Sequence, residues 1–174
     1  MQQGLTRLSH WLGSLCRIIA GIALLALLSV TILDVGLRYL SDLTSGVISL
    51  SVSGSVELVS YLLLFSLLAA MAASVEKSQV VVEALTHRMN DVFKARLHGF
   101  YLLGFMVLGI ILCVGLINSG LGAISHGEVT QDLRISMGPI YLFAAFLSAL
   151  LSLRSLMHVL LSGVFGQQEE SANG

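Results

Sequence analysis

Charge is scarce in this sequence. Asp, Glu, Lys and Arg make up 11% of its 174 residues, less than half the roughly 25% of an ordinary soluble domain. With 56% hydrophobic residues and a mean hydropathy of +0.91, that scarcity excludes a water-soluble globule and indicates an integral membrane protein. A formal net charge of −1 leaves no basic surface for nucleic acid, because phosphate binding needs clustered Lys and Arg. The two cysteines, Cys16 and Cys113, lack CxxC spacing and are expected to be free thiols. The single proline, Pro139, falls in the first turn of a helix, where its missing N–H costs little. No pair of Pro-broken helices is therefore available to build a midplane substrate site. At about 20 residues per span, the length excludes a carrier of ten or more spans and leaves room for four or five.

What is present is a set of long charge-free runs. Inserting a charge at the bilayer centre costs roughly 2.5–3.5 kcal/mol, so charged residues mark where spans end. Residues 18–33 are uncharged between Arg17 and Asp34, 58–75 between Glu57 and Glu76, 99–127 between Arg96 and Glu128, and 135–153 between Arg134 and Arg154. These runs predict four spans over about 12–34, 57–76, 97–126 and 135–158. The first starts early because Trp11, Leu12 and Leu15 extend it while Arg17 snorkels. No small-x-small cleavage site follows it, Leu33-Asp34-Val35-Gly36 being a poor substitute, so it reads as a retained helix rather than a signal peptide. Seven of the nine basic residues lie in the N-terminal segment, the 76–96 loop and the C-terminal segment; Arg38 and Arg134 lie on the other side. The positive-inside rule then places both termini in the cytoplasm. The expected fold is an all-α integral membrane domain over residues 1–166, four transmembrane helices N-in/C-in, with a disordered polar tail at 167–174.

The cytoplasmic loop carries a pattern of its own. Val82, Leu85, Met89, Val92 and Phe93 recur at three- and four-residue steps, while Glu83, His87, Asn90 and Lys94 take the other positions. That predicts an amphipathic helix over 79–95, lying along the membrane interface or packed against the spans. In the outer loop, Ile48 to Ser53 alternates apolar and polar residues, which predicts an extended segment. Within the spans, small residues repeat every four positions: Ala69 and Ala73; Gly115, Ser119 and Ala123; Ala144, Ser148 and Ser152. Such repeats let helices approach closely where lipid supplies no hydrophobic drive, and contact inside the four-helix unit is favoured over contact with another subunit.

Chemistry is sparse. Asp34, Glu57, Glu128 and Asp132 fall at the outer ends of spans, and the strongest polar group inside one is Asn118, read as an interhelical hydrogen-bonding residue. A proton-coupled carrier or an autonomous small multidrug carrier needs an ionisable group at mid-membrane. Neither fits, and no cofactor or metal is expected. His10, His98 and His158 cluster near the cytoplasmic ends of three spans, which makes a haem-binding anchor of a respiratory complex the alternative, although each lies at a boundary rather than inside its span. At the outer face, one of Arg38 and Arg134 is expected to pair with Glu57, with solvation of all three as the competing outcome.

Five features carry a family resemblance. They are Asp34-Val35-Gly36-Leu37-Arg38-Tyr39 closing span one, Glu57 opening span two, the run from Lys77 to Leu85 including Gln79 and Glu83, the run Thr130-Gln131-Asp132-Leu133-Arg134-Ile135, and Tyr141 in span four. In order and spacing they resemble the small, DctQ-type membrane subunit of tripartite ATP-independent periplasmic (TRAP) transporters, over about residues 12–160. The sequence departs from the family pattern at Gln79, often His there, at Ser136, often Pro, and in its longer outer loop. The resemblance implies a non-enzymatic scaffold subunit. Its partners would be a large, elevator-type membrane subunit that moves organic acid anions with sodium, a periplasmic substrate-binding protein, and membrane lipid. Candidate subunit-interface residues on this reading are Arg38, Glu57, Gln79, Glu83, Arg134 and Tyr141.

Overall fold

A computed structural model describes the backbone of residues 2–43, 54–75 and 91–172, and the side chains of 7–43, 54–75 and 99–159. The described residues form four helices: α1 (Gln2–Leu43), α2 (Ser55–Ser74), α3 (Asp91–His126) and α4 (Met137–Ala172). Each contains a segment long and apolar enough to cross a bilayer, at Arg7–Leu43, Ser55–Ser74, Gly99–His126 and Met137–Val159. The four spans expected from charge spacing are these.

Helix ends differ from the apolar runs, because a charge stops a span without stopping a helix. The 42 residues of α1 reach about 63 Å at 1.5 Å per residue, twice a hydrocarbon core. Neither Asp34 nor Arg38 breaks it. Residues 91–95, expected to end the amphipathic helix, are the start of α3 and continuous with the third span. Val92 and Phe93 thus lie on α3, while Gln79, Val82, Glu83, Leu85 and Met89 lie outside the described residues, as does the alternating segment of the outer loop. At the other end, α4 runs on through 167–172. Polarity argues against a core and not against a helix: Gln167, Gln168, Glu169, Glu170 and Ala172 are good helix formers.

The packing is an open layer. α1 lies on α2, α2 on α4, and α4 on α3, with α1 also touching α4. Consequently half of the apolar window of α4 is buried within the chain (50%), against 11% for α1 and α3. The buried seam is built of small and branched residues, including Cys16 and Ala20 on α1, Leu68, Ala69 and Ala72 on α2, Leu102 on α3, and Ala144, Leu147 and Leu151 on α4. Phe65 of α2 meets Phe143 of α4 edge to face at 4.9 Å.

Two small-residue repeats fall on this seam and one does not. Ala69, Ala144 and Ser148 are buried and Ala73 and Ser152 half-buried. On α3, Ala123 is buried, but Ser119 is exposed and a side chain at Gly115 would meet nothing within 4 Å. The glycines that face α4 are Gly109 and Gly120 instead. A Cβ at Gly109 would lie 2.9 Å from the backbone nitrogen of Ser152, and one at Gly120 3.3 Å from Cβ of Tyr141. α3 carries several small residues at helical spacing, and spacing alone does not say which stripe faces the neighbour.

Candidate functional site: charged helix ends that tie the layer together

At one end of the layer, α3 ends in a Schellman motif. Gly127, at φ 63°, takes the left-handed conformation, while the N–H of Glu128 donates to the carbonyl of Ala123 at 2.9 Å and that of Gly127 to Ile124 at 3.3 Å. The chain then folds into a tight turn. Thr130 and Ile135 close it twice, through Thr130 N–H to the Ile135 carbonyl at 2.8 Å and Ile135 N–H to Thr130 Oγ1 at 3.0 Å. Met137 N–H returns to the Glu128 carbonyl at 3.0 Å, and Val129 bridges Ser136.

This turn aims three consecutive amides at one carboxylate. Gln131 N–H donates to Glu57 Oε1 at 3.1 Å, and Asp132 and Leu133 N–H donate to Oε2 at 3.2 and 3.1 Å. Successive amides converging on an anion form a nest, and bonds to an ionised acceptor are stronger than neutral ones. Tyr61, one turn further along α2, donates its hydroxyl to Oε1 at 3.5 Å. Gly54, just before α2, completes the fit. Its φ of 76° is left-handed, and a Cβ there would lie 2.6 Å from Leu133 Cγ.

The expected arginine partner of Glu57 is therefore replaced by backbone. Arg38 pairs with Asp34 one turn back on α1, Nη2 to Oδ2 at 2.9 Å, and Arg134 is exposed at φ 52°. Backbone amides have no sequence signature, which is why the pairing is invisible in the sequence. Two of the runs that carry the family resemblance, Glu57 and Thr130–Ile135, are brought together here. Tyr141 sits half-buried where α4 approaches α3 at Gly120.

At the opposite end of the layer lies Arg154, which in the sequence marks a span end and adds to the basic residues on that side. Arg154 is fully buried on α4 and donates through Nη1 to the carbonyl of Ala72 in the last turn of α2. The last four carbonyls of a helix have no partner inside it, and the helix dipole places partial negative charge there. A guanidinium suits both. Gly13 on α1 makes the room, since a Cβ there would stand 2.5 Å from Arg154 Nη2. The signal was a Gly on one span at the same depth as an Arg on another. Close by, Ser9 on α1 lies 3.3 Å from His158 Nε2 on α4.

Of the histidines considered for haem, His158 thus contacts Ser9, His10 is exposed, and the side chain of His98 is outside the described residues. Among the described residues no group of three or more His, Cys, Asp or Glu could hold a metal ion.

A family model described as tripartite ATP-independent periplasmic transporters, DctQ component, matches residues 27–163. The chain belongs to this family. It is a small membrane subunit of a TRAP transporter, a transport component with several membrane-spanning helices. The match covers α2, α3, the 127–136 turn and most of α4, so both the Glu57 nest and Arg154 lie within the DctQ region. No curated protein and no solved structure matches the chain.

Proposed function

We propose that this DctQ chain braces the large membrane subunit of a sodium-coupled TRAP transporter that takes up organic acid anions, carboxylates such as dicarboxylates or sialic acid, across a bacterial inner membrane. What supports the bracing role is how the charged groups at the span ends are used. Glu57 locks the outer turn to α2, Arg154 ties α4 to the end of α2, and Arg38 answers Asp34 along α1. All serve rigidity rather than a substrate path, and an elevator's moving part needs a frame that resists tilting.

The open layer also supports a heteromeric assembly. Asn118 is exposed on α3, near the exposed Gly115 and Ser119, and a polar amide within a span is better satisfied against another helix than against hydrocarbon. On this reading the termini and the 76–96 loop are cytoplasmic, the amphipathic segment around Val82, Leu85, Met89, Val92 and Phe93 orients the subunit at the interface, and the 127–136 turn is a firm platform for the periplasmic substrate-binding protein.

The test is reconstitution. The chain co-purified with its large subunit and supplied with the binding protein drives sodium-dependent carboxylate uptake into liposomes, and omitting the chain abolishes it. Uptake of a carboxylate down a sodium gradient by the isolated chain would overturn the bracing role.

A further inference from the structure

The first 33 residues contain no Asp or Glu but do contain Arg7, His10 and Arg17. On α1 these residues and Ser14 follow at steps of three, four and three, which confines them to an arc of about 80° along about 15 Å of helix. Arg7, His10 and Arg17 are exposed and Ser14 is half-buried. α1 packs on its neighbours through a different face, the one carrying Ser9, Gly13, Cys16, Ala20 and Ala23.

Arg17 Nη2 donates to Ser14 Oγ at 3.2 Å, which draws the guanidinium back along the helix toward the headgroup level instead of into hydrocarbon. The next position on the stripe is Gly21, where a Cβ would meet nothing within 4 Å. Beyond it come exposed Leu24, Leu25 and Leu28. Cationic and hydroxyl donors, then a notch, then an apolar surface follow one another down a single helix face.

We propose that this face of α1 binds an anionic phospholipid. His10, Ser14 and Arg17 face its phosphate, Arg7 meets the anionic headgroup layer about 15 Å from Arg17 along the helix, and an acyl chain lies along the Gly21 notch. The notch and leucines favour a lipid over free phosphate, which has no tail to place there. The site requires only that α1 crosses a bilayer and is independent of the bracing role.

Trp11 is the single tryptophan of the chain. It is exposed beside His10, so its fluorescence reports which lipids gather there. The full chain is reconstituted with brominated phosphatidylglycerol or brominated phosphatidylcholine at equal mole fraction. The expected result is stronger quenching by the phosphatidylglycerol, with a local preference of about fivefold per arginine. Arg7→Gln with Arg17→Gln brings the ratio to one, Arg38→Gln at the far end of α1 leaves it unchanged, and Gly21→Leu lowers it while keeping every cation.

A ratio of one in the native chain, or a ratio that survives the double substitution, would overturn the proposal. So would loss of the preference to inorganic phosphate at matched ionic strength, which would make the stripe a free-anion site. Native mass spectra of the complex with the large subunit give the remaining arm. Retention of no more phosphatidylglycerol than the double variant retains would assign the stripe to a protein partner and equally overturn it.

Discussion

The guanidinium of Arg154 and the bare backbone of Gly13 occupy each other's space: Nη2 lies 2.5 Å from where a Gly13 side chain would begin. An arginine can be buried between three helices here because α1 contributes no side chain at that level. Its donor then reaches the Ala72 carbonyl at the end of α2.

Replacing either partner is expected to loosen the Arg154 end of the layer. Arg154→Leu strands the Ala72 carbonyl and should destabilise the chain by about 1–3 kcal/mol. Arg154→Lys keeps the charge and one donor and should cost less, whereas Gly13→Val should displace the guanidinium and resemble Arg154→Leu. Thermal unfolding in detergent checks the order, and unchanged stability in Gly13→Val would show that the space is not needed.

Glu57 is expected to hold the 127–136 turn through charge and reach together. Glu57→Gln puts an amide NH2 against backbone donors and Glu57→Asp shortens the reach, so both should free the 127–136 turn in part and Glu57→Ala should free it fully. Limited proteolysis in that turn is the measurement. Arg134→Gln should leave cleavage as it is, since the nest is made of backbone amides.

The two stripes of α3 should respond oppositely to bulk. Gly109→Leu drives a side chain into the backbone of Ser152 and should cost about 1–3 kcal/mol by overpacking. Gly115→Leu enters open space within the chain and should leave its unfolding unchanged. Paired melting curves of the two variants distinguish them, and equal losses would contradict the assignment of faces.

Reporter fusions test the proposed orientation. Fusions after Lys77 and after Lys94 should report cytoplasm, and fusions within 42–52 and at Glu128 should report periplasm. A periplasmic signal from the 76–96 loop would reverse the topology.

The amphipathic segment predicts an asymmetry between its faces. If this segment orients the subunit at the interface as proposed, Val82→Asp, Leu85→Asp or Phe93→Asp would place a charge on the face that buries apolar area at about 25 cal/mol per Å² and should lower the yield of complex with the large subunit. Asn90→Asp, on the polar face, should not. Equal yields from all four would make the pattern incidental.

Much of the fold was legible because a span is a local property. About 20 apolar residues bounded by charge must cross or be buried, whatever surrounds them, so four spans and the family pattern could be read without coordinates. Helix ends were less legible. The charge of Asp34 that ends an apolar run leaves helical hydrogen bonding intact, and the polar residues of 167–172 are good helix formers.

Residue order and charge spacing therefore suffice to read a DctQ subunit with four apolar runs long enough to span a membrane and charged residues at their ends. Only the packed helices show what those charges do and which stripe of α3 meets its neighbour: Glu57 meets three backbone amides rather than an arginine, Arg154 closes a helix end, and Gly109 rather than Gly115 faces α4. The physical reason is common to all three. Direction of a backbone amide, level of one helix against another and rotation of a helix about its axis are relations between segments far apart in sequence. No residue type or spacing within one segment encodes them.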